Sequence, residues 1–376
     1  MVLDPRPRHQ PQEAAIAAAA PSGHGPSDPD LLLEVRDLRT HIDTPDGRIT
    51  PVDGVNISLR RGETIGIVGE SGSGKSMLVR SIMGIAPTTA RVDQGSTVRF
   101  DGRDVLSLSQ REAQRFWGRE IAMVFQDPLT SLNPIRTIGR QITDPLRHHL
   151  GLSRREATDH AVELLTRVRI PSPRARLSEY PHQLSGGMRQ RVGIAIALSC
   201  SPKLLIADEP TTALDVTVQH EILDLLHGLQ ADSDMAMILV SHDLAVVSQH
   251  TDRIGVMYAG RFLEVGDTRA LLDEPAHPYT GALLDSIPRP DLPPHTRLTV
   301  IEGRPPNLRE MPAGCRFAPR CPRVADDCLA VDPPLEDLAT APDVTPRYGV
   351  PIAEIHRAAC HHPLVPATSS TTSEAS

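Results

Sequence analysis

The sequence predicts an α/β protein, a layered core of sheet and helices followed by a smaller and less regular C-terminal unit. Three observations carry that expectation. From residue 31 to about 265, short apolar runs alternate with segments of helical spacing. One of those runs opens directly into a glycine-rich loop and then a helix. After Val265 the texture changes: proline becomes dense over 275–306, and four of the five cysteines fall between Cys315 and Cys360.

The elements follow in chain order. Residues 31–42 and 49–59 read as strands on either side of a turn at Asp46-Gly47. Residues 64–68 form a short buried strand, and 77–85 a helix behind the glycine-rich loop. Three more buried strands are expected at 121–125, 204–207 and 237–240. Between the first and second of these, 137–184 is charged and largely helical, with Ala161, Val162, Leu164, Leu165 and Val168 at helical spacing. The organisation expected is a tail over 1–30, a core domain over 31–265 with a helical subdomain at about 127–190, a C-terminal domain over 266–368, and a second tail over 369–376.

Composition narrows the function. Aromatics at 3% leave little for stacking nucleic-acid bases, and a net charge of −8 disfavours a generally nucleic-acid-binding surface. No stretch approaches the ~18 apolar residues of a membrane-spanning helix. The alanine-rich run 14–20 after Arg6 and Arg8 imitates a signal peptide weakly. It is bounded by Glu13 and Pro21 and holds no leucine or valine, so it is read as part of a disordered tail. Of 39 basic residues only Lys75 and Lys203 are lysines, so each lysine calls for a local reason.

Lys75 has one. Gly69-Glu70-Ser71-Gly72-Ser73-Gly74-Lys75-Ser76 fits G-x-x-x-x-G-K-[ST], with a strand before it and a helix after. Glycines let the backbone curl until several N–H groups face one anion, and the helix N-terminus adds its dipole. Lys75 supplies a compact positive charge to the β- and γ-phosphates of ATP, and Ser76 a hydroxyl to Mg²⁺. A glycine turn with an incidental Lys-Ser is the bland alternative, expected in roughly one chain in a hundred of this length before strand and helix are considered.

A hydrolytic set follows. Asp208 and Glu209 close the apolar run 204–207, where Asp208 suits Mg²⁺ and Glu209 suits orientation of the attacking water. His242 stands at the tip of the next strand and Gln126 at the end of 121–125, within reach of water, metal or γ-phosphate. Taken singly each is weak, since acid pairs at strand ends are common and a lone histidine is more often structural. Their order behind a phosphate loop is what gives them force.

The segment Leu184-Ser185-Gly186-Gly187-Met188-Arg189-Gln190 resembles the signature of the ABC ATPases, and Ala213-Leu214-Asp215 resembles their D-loop. The resemblance spans about 31–265. Alone, Ser-Gly-Gly would be read as a helix cap. The resemblance implies a P-loop NTPase of ABC type with an antiparallel β subdomain and an α-helical subdomain. It also implies that Ser185, Gly186, Gly187 and Asp215 serve a nucleotide shared between two subunits clamped head to tail. One departure stands out: no Phe, Tyr or Trp precedes Phe100 to stack the adenine. That place falls near Asp46, with His41 and Ile49 as substitutes.

Ser-Gly-Gly-Met, the run Ala207 to Val216, and His277-Pro278-Tyr279-Thr280 are similar to the oligopeptide/dipeptide branch of ABC importers. That branch implies a second ATPase subunit, two membrane permeases, an external binding protein and a peripheral place on the cytoplasmic side of the membrane. Nickel importers share the architecture, so peptide rests on analogy. A soluble ABC ATPase of repair or translation would usually carry long coiled coils or two ATPase halves, and neither is present.

Cys315-x5-Cys321-x6-Cys328-x31-Cys360 suggests a metal site, since disulfides are unusual beside cytosolic ATPase chemistry. Four thiolates suit zinc or an iron–sulfur cluster. The C-x₂₋₄-C knuckles of zinc ribbons are missing, and the resemblance implies [4Fe–4S]. Zinc and free structural thiols stay open, with His356, His361 and His362 as alternative ligands. Cys200 reads as a small buried side chain.

Overall fold

A computed structural model describes residues 29–127, 131–212, 214–287, 300–338 and 356–364. The expected tails, apart from residues 29 and 30, lie outside these residues, as does Ala213.

The first sheet grows from a long hairpin, β1 (Leu31–Thr44) and β2 (Gly47–Arg60). Both strands reach closer to the turn than apolar residues alone suggest. The pairs Asp43↔Arg48 and Thr44↔Gly47 continue the ladder, and the Arg48 guanidinium donates to Asp43 at 2.9 Å. This polar tip carries no hydrophobic signal. β3 (Thr64–Val68) follows and belongs to the second sheet; β4 (Ala90–Val92), β5 (Thr97–Phe100) and β6 (Arg103–Asp104) complete the first.

The second sheet holds the chemistry. Its further strands are β7 (Ile121–Val124), β8 (Leu204–Asp208), β9 (Ala236–Ser241), β10 (Arg253–Tyr258), β11 (Arg261–Asp267), β12 (Glu336–Asp337) and β13 (Arg357–Ala358). The order is β12-β13-β11-β10-β3-β9-β8-β7, and the run from β10 to β7 is parallel throughout. Strands of this run are apolar on both faces because both faces are covered. Ile65, Ile67, Leu204, Ile206, Ile238 and Val240 point into one core with the hairpin and helix Lys75–Ile82. Leu205, Ala207, Met237 and Leu239 point into another with the helical layer. The period of two thus sorts each strand between two cores, each fully buried Leu or Ile contributing about 1.5–3 kcal/mol.

The helical layer consists chiefly of Ile138–Leu150, Arg154–Arg167 and Gly186–Ala197. Gly151, at φ +69°, ends the first helix. Ser153 and Glu156 form a capping box that starts the second. Ala157, Ala161, Leu164 and Leu165 make its buried stripe. The helix expected over 77–85 begins two residues earlier, at Lys75, and Gly84 at φ +68° turns the chain out after it. The strand expected over 121–125 stops at Val124, since Phe125 leaves the ladder and is 44% exposed.

The composition change expected to divide 31–265 from 266–368 falls inside β11. That strand pairs with β10 on one side and with β13 on the other. The C-terminal segment therefore extends the second sheet itself. Proline density marks where helices and long strands become scarce; it carries no record of a two-residue ladder.

Candidate active site

The parallel strands β3, β9, β8 and β7 end level with one another, through the pairs Val68↔Ser241, Asp208↔Val240 and Val124↔Ala207. Loops leaving this edge meet in a crevice, the usual ligand position of an open α/β sheet. Residues 69–74 link β3 to helix Lys75–Ile82. Glycine is required at two of these positions. A Cβ on Gly69 would stand 2.0 Å from the Met257 carbonyl, and one on Gly74, at φ +107°, 2.0 Å from the Pro51 carbonyl. The loop is thus held between β10 and β2. Ser73 donates its amide to the Glu70 carbonyl at 3.2 Å and accepts from Gly260 at 2.8 Å, while Ser71 and Gly72 lie exposed at the rim.

Lys75 is 4% exposed and curls back over the loop. Its Nζ donates to the carbonyls of Gly69 at 2.8 Å and Glu70 at 3.1 Å, and lies 3.9 Å from Glu209 Oε1. Burial lowers its pKa, against the pull of the Glu209, Asp208 and Glu70 carboxylates. Ser76 Oγ donates to Asp208 Oδ1 at 3.0 Å. Burial pushes the Asp208 carboxyl up, and the Ser76 bond opposes it. A hydroxyl and a buried carboxylate side by side form a donor set that suits Mg²⁺.

Glu209 leaves β8 with φ +45°, and its amide donates to the Val240 carbonyl at 3.0 Å. This left-handed turn, costly for a residue with a Cβ, swings the side chain over the crevice. Oε2 accepts from Gln126 Nε2 at 2.9 Å and from Thr212 Oγ1 at 2.8 Å, and His242 Nδ1 lies 3.6 Å away. Gln126, Lys75, Ser76, Asp208, Glu209 and His242 therefore form one constellation from four loops. Thr212 was missed as a site residue by sequence reasoning, which took it only as part of the run Ala207 to Val216.

The signature residues stand apart from it. Ser185 caps helix Gly186–Ala197 and accepts from the Met188 amide at 3.3 Å. A Cβ on Gly187 would meet Val218 at 2.9 Å, so the helix packs closely on the next one, Val216–Ala231. Asp215 caps that helix, accepting from Val218 at 3.0 Å. Ser185, Gly186 and Asp215 are exposed, and among the described residues none bonds to the phosphate loop. At the turn where an adenine-stacking aromatic was sought, Asp46 pairs with Arg309 at 3.2 Å. His41 is held by Asp93 at 2.7 Å, and Ile49 is half-buried.

Cys315, Cys321, Cys328 and Cys360 line one small pocket together with His277, His361 and His362. Burial raises the thiols of Cys315, Cys321 and Cys360, the last to about 11. Among the described residues no three of these sulfurs lie within 4.8 Å of one another; Asp327, Cys328 and His362 do. His356 turns elsewhere, bonding Glu264 at 2.8 Å. Cys200 is buried and 3.8 Å from the Pro145 carbonyl, apart from the four.

Arg320, one residue before Cys321, was also missed: it forks onto Glu70 of the phosphate loop at 2.7 and 2.9 Å. Tyr279, noted in sequence only as a branch marker, accepts the Glu70 amide at 2.9 Å.

Comparison with known proteins places the chain among relatives. Residues 52–212 match the family model described as ABC transporter, and 263–328 the model described as oligopeptide/dipeptide transporter, C-terminal region. The oligopeptide transport ATP-binding protein OppD of Escherichia coli K12 is 49% identical over 308 residues, 82% of this chain and 90% of that one. OppD of Salmonella typhimurium LT2 is 49% identical over 311 residues, 83% of this chain and 92% of the other. Among solved structures, the dimeric post-hydrolysis state of the ATP-binding cassette MJ0796 with ADP and Pi superposes with a TM-score of 0.57 at 27% identity, covering 63% of this chain and 99% of that one. The cbiO1 subunit from Clostridium perfringens gives 0.55 at 28% identity, with 64% and 90% covered.

Proposed function

The chain belongs to the ABC transporter family, and from that premise we propose that it is the ATP-hydrolysing subunit of an importer that takes up di- and oligopeptides. The observation that carries the reading is the constellation at the strand ends: Ser76 on Asp208 at 3.0 Å, with Lys75 and Glu209 closing around them. The relatives' names as oligopeptide transport proteins and the matching C-terminal region support the peptide assignment.

Gly69 to Ser76 wrap the β- and γ-phosphates with backbone N–H groups, and Lys75 neutralises them. Ser76, Asp208 and Gln126 would hold Mg²⁺, which draws charge from the phosphate oxygens. Glu209 takes the water's proton and orients its attack on the γ-phosphorus; Gln126, Thr212 and His242 aim the carboxylate. Ser185, Gly186 and Asp215, exposed on the chain's own surface, together with half-buried Gly187, serve a nucleotide held by a second ATPase subunit.

Two membrane permeases and an external binding protein complete the assembly. No described helix is long and apolar enough to cross a membrane. The subunit sits peripherally on the cytoplasmic side. A groove lined by Phe125, Leu132, Pro145 and Ile196, between sheet edge and helical layer, suits a permease helix.

The four cysteines hold a [4Fe–4S] cluster in this reading. A tetrahedral zinc site, with Zn–S near 2.3 Å, would need its sulfurs roughly 3.8 Å apart. Among the described residues no three of these sulfurs lie within 4.8 Å of one another, which favours the larger cluster over a single tetrahedral ion.

Lys75→Ala tests the core of the reading. It removes ATP binding, and with it peptide uptake by the assembled transporter. Parent-level binding and turnover in that variant would refute the ATPase site. Uptake of nickel, or of another small solute in place of peptides, would reassign the cargo alone.

A further inference from the structure

We propose that Arg320, in the cysteine-bearing C-terminal segment, is a positioning residue of the nucleotide site, acting through Glu70 of the phosphate loop.

Each polar group of Glu70 is committed. Its carbonyl accepts from Lys75 at 3.1 Å, its amide donates to Tyr279 Oη at 2.9 Å, and its carboxylate takes both terminal nitrogens of Arg320 at 2.7 and 2.9 Å. The last two contacts come from beyond β10, more than 200 residues along the chain. Arg320 is itself fixed. Its side chain is 4% exposed, its Nε donates to the Glu302 carbonyl at 2.8 Å, and its terminal nitrogens also reach Tyr258 Oη at 3.2 Å and the Ile301 carbonyl at 3.1 Å. Tyr279 is fully buried and packs against Tyr258 and Phe317, with ring centroids 4.7 and 5.2 Å away. Phe317 and Arg320 both lie between Cys315 and Cys321.

Two consequences follow for the bound triphosphate. The amide of Glu70 faces Tyr279, so the peptide between Gly69 and Glu70 is locked with its carbonyl toward Lys75. That sets where the lysine charge can sit. The carboxylate of Glu70, left alone, would place a negative charge on the very loop that must accept phosphates. The planar guanidinium fork cancels that charge and holds it to one side, with bidentate geometry that lysine cannot reproduce. A loop rich in glycine has little stiffness of its own, and here a distant segment supplies it.

The experiment is a double-mutant cycle on the full chain purified without oxygen, reading Mg-ATP affinity by nucleotide titration alongside the melting temperature. Arg320→Ala is expected to weaken Mg-ATP about tenfold, and Arg320→Lys by less. In a Glu70→Gln background, where the charge to be cancelled is gone, Arg320→Ala is expected to change affinity by less than about threefold. In the assembled transporter Arg320→Ala raises KM for ATP and leaves kcat close to the parent's. Parent-like affinity in Arg320→Ala overturns the proposal. So does the same loss of affinity in both backgrounds, which would mean that Arg320 merely braces the C-terminal segment. Should Arg320→Ala fail to fold, Arg320→Lys carries the same comparison: a loss that vanishes with Glu70→Gln supports the assignment, and a loss that persists ends it.

Discussion

Gln126 and Glu209, 83 residues apart in sequence, are joined by a 2.9 Å hydrogen bond from Nε2 to Oε2. Thr212 donates to the same oxygen at 2.8 Å, which leaves Oε1 on the side of Lys75. The carboxylate is therefore aimed before any substrate arrives. Glu209→Gln keeps the volume and an oxygen for these donors but loses the base. The expected result is Mg-ATP affinity near the parent's and turnover lower by about 10²–10⁴. Steady-state ATPase assays beside nucleotide titration check it, and unchanged turnover would remove Glu209 from the role of base.

The phosphate loop's tolerance is set by backbone atoms. A methyl on Gly74 would stand 2.0 Å from the Pro51 carbonyl of β2, and the residue's φ of +107° is strained for any side chain. Neither contact can be relieved by turning a rotamer. Gly74→Ala should lower stability by about 1–3 kcal/mol and weaken ATP binding, while Gly72→Ala, whose Cβ meets nothing within 4 Å, should cost only its own positive-φ strain. Thermal melts with and without Mg-ATP separate the two.

Much of this site is legible in sequence because its residues are local to motifs. Lys75 and Ser76 follow a strand-loop-helix pattern, and Asp208 and Glu209 end an apolar run whose β character is plain. What the motifs lack is the third dimension. The Arg320–Glu70 fork spans 250 residues, and nothing at either end announces the other. Near 265, what composition leaves out is the pairing across the expected boundary. Composition shifts there, but β11 runs through it and hydrogen-bonds to β13, a strand of only two residues. Short strands have no periodicity to read.

Ser185 offers a test of the signature's outward role. Aspartate caps a helix as well as serine does, so Ser185→Asp preserves the start of Gly186–Ala197. It also places a negative charge where a second subunit's γ-phosphate is proposed to dock. The melting temperature and the isolated chain's ATP affinity should stay at parent values, while ATPase activity of the assembled transporter falls at least about tenfold. Parent-level activity in the assembly would detach Ser185 from the shared nucleotide.

The cysteine pocket yields to analysis without any assay of transport. Cys315, Cys321, Cys328 and Cys360 come from a short turn, a five-residue helix and a segment beyond β13, and they converge on one cavity. Segments so short and rich in proline have little apolar core of their own, and the proposed cluster, linking all four, would supply the cross-link that packing lacks. Protein purified without oxygen should be brown and contain iron and acid-labile sulfide in equal amounts. Cys321→Ser or Cys360→Ser should lose both and melt at a lower temperature. Cys200→Ser, whose thiol lies away from the pocket against Pro145, should keep the full complement. A colourless chain loaded with zinc would exclude the cluster, and would leave the nucleotide site untouched, because Lys75, Asp208 and Glu209 take no contact from any of the four sulfurs among the described hydrogen bonds.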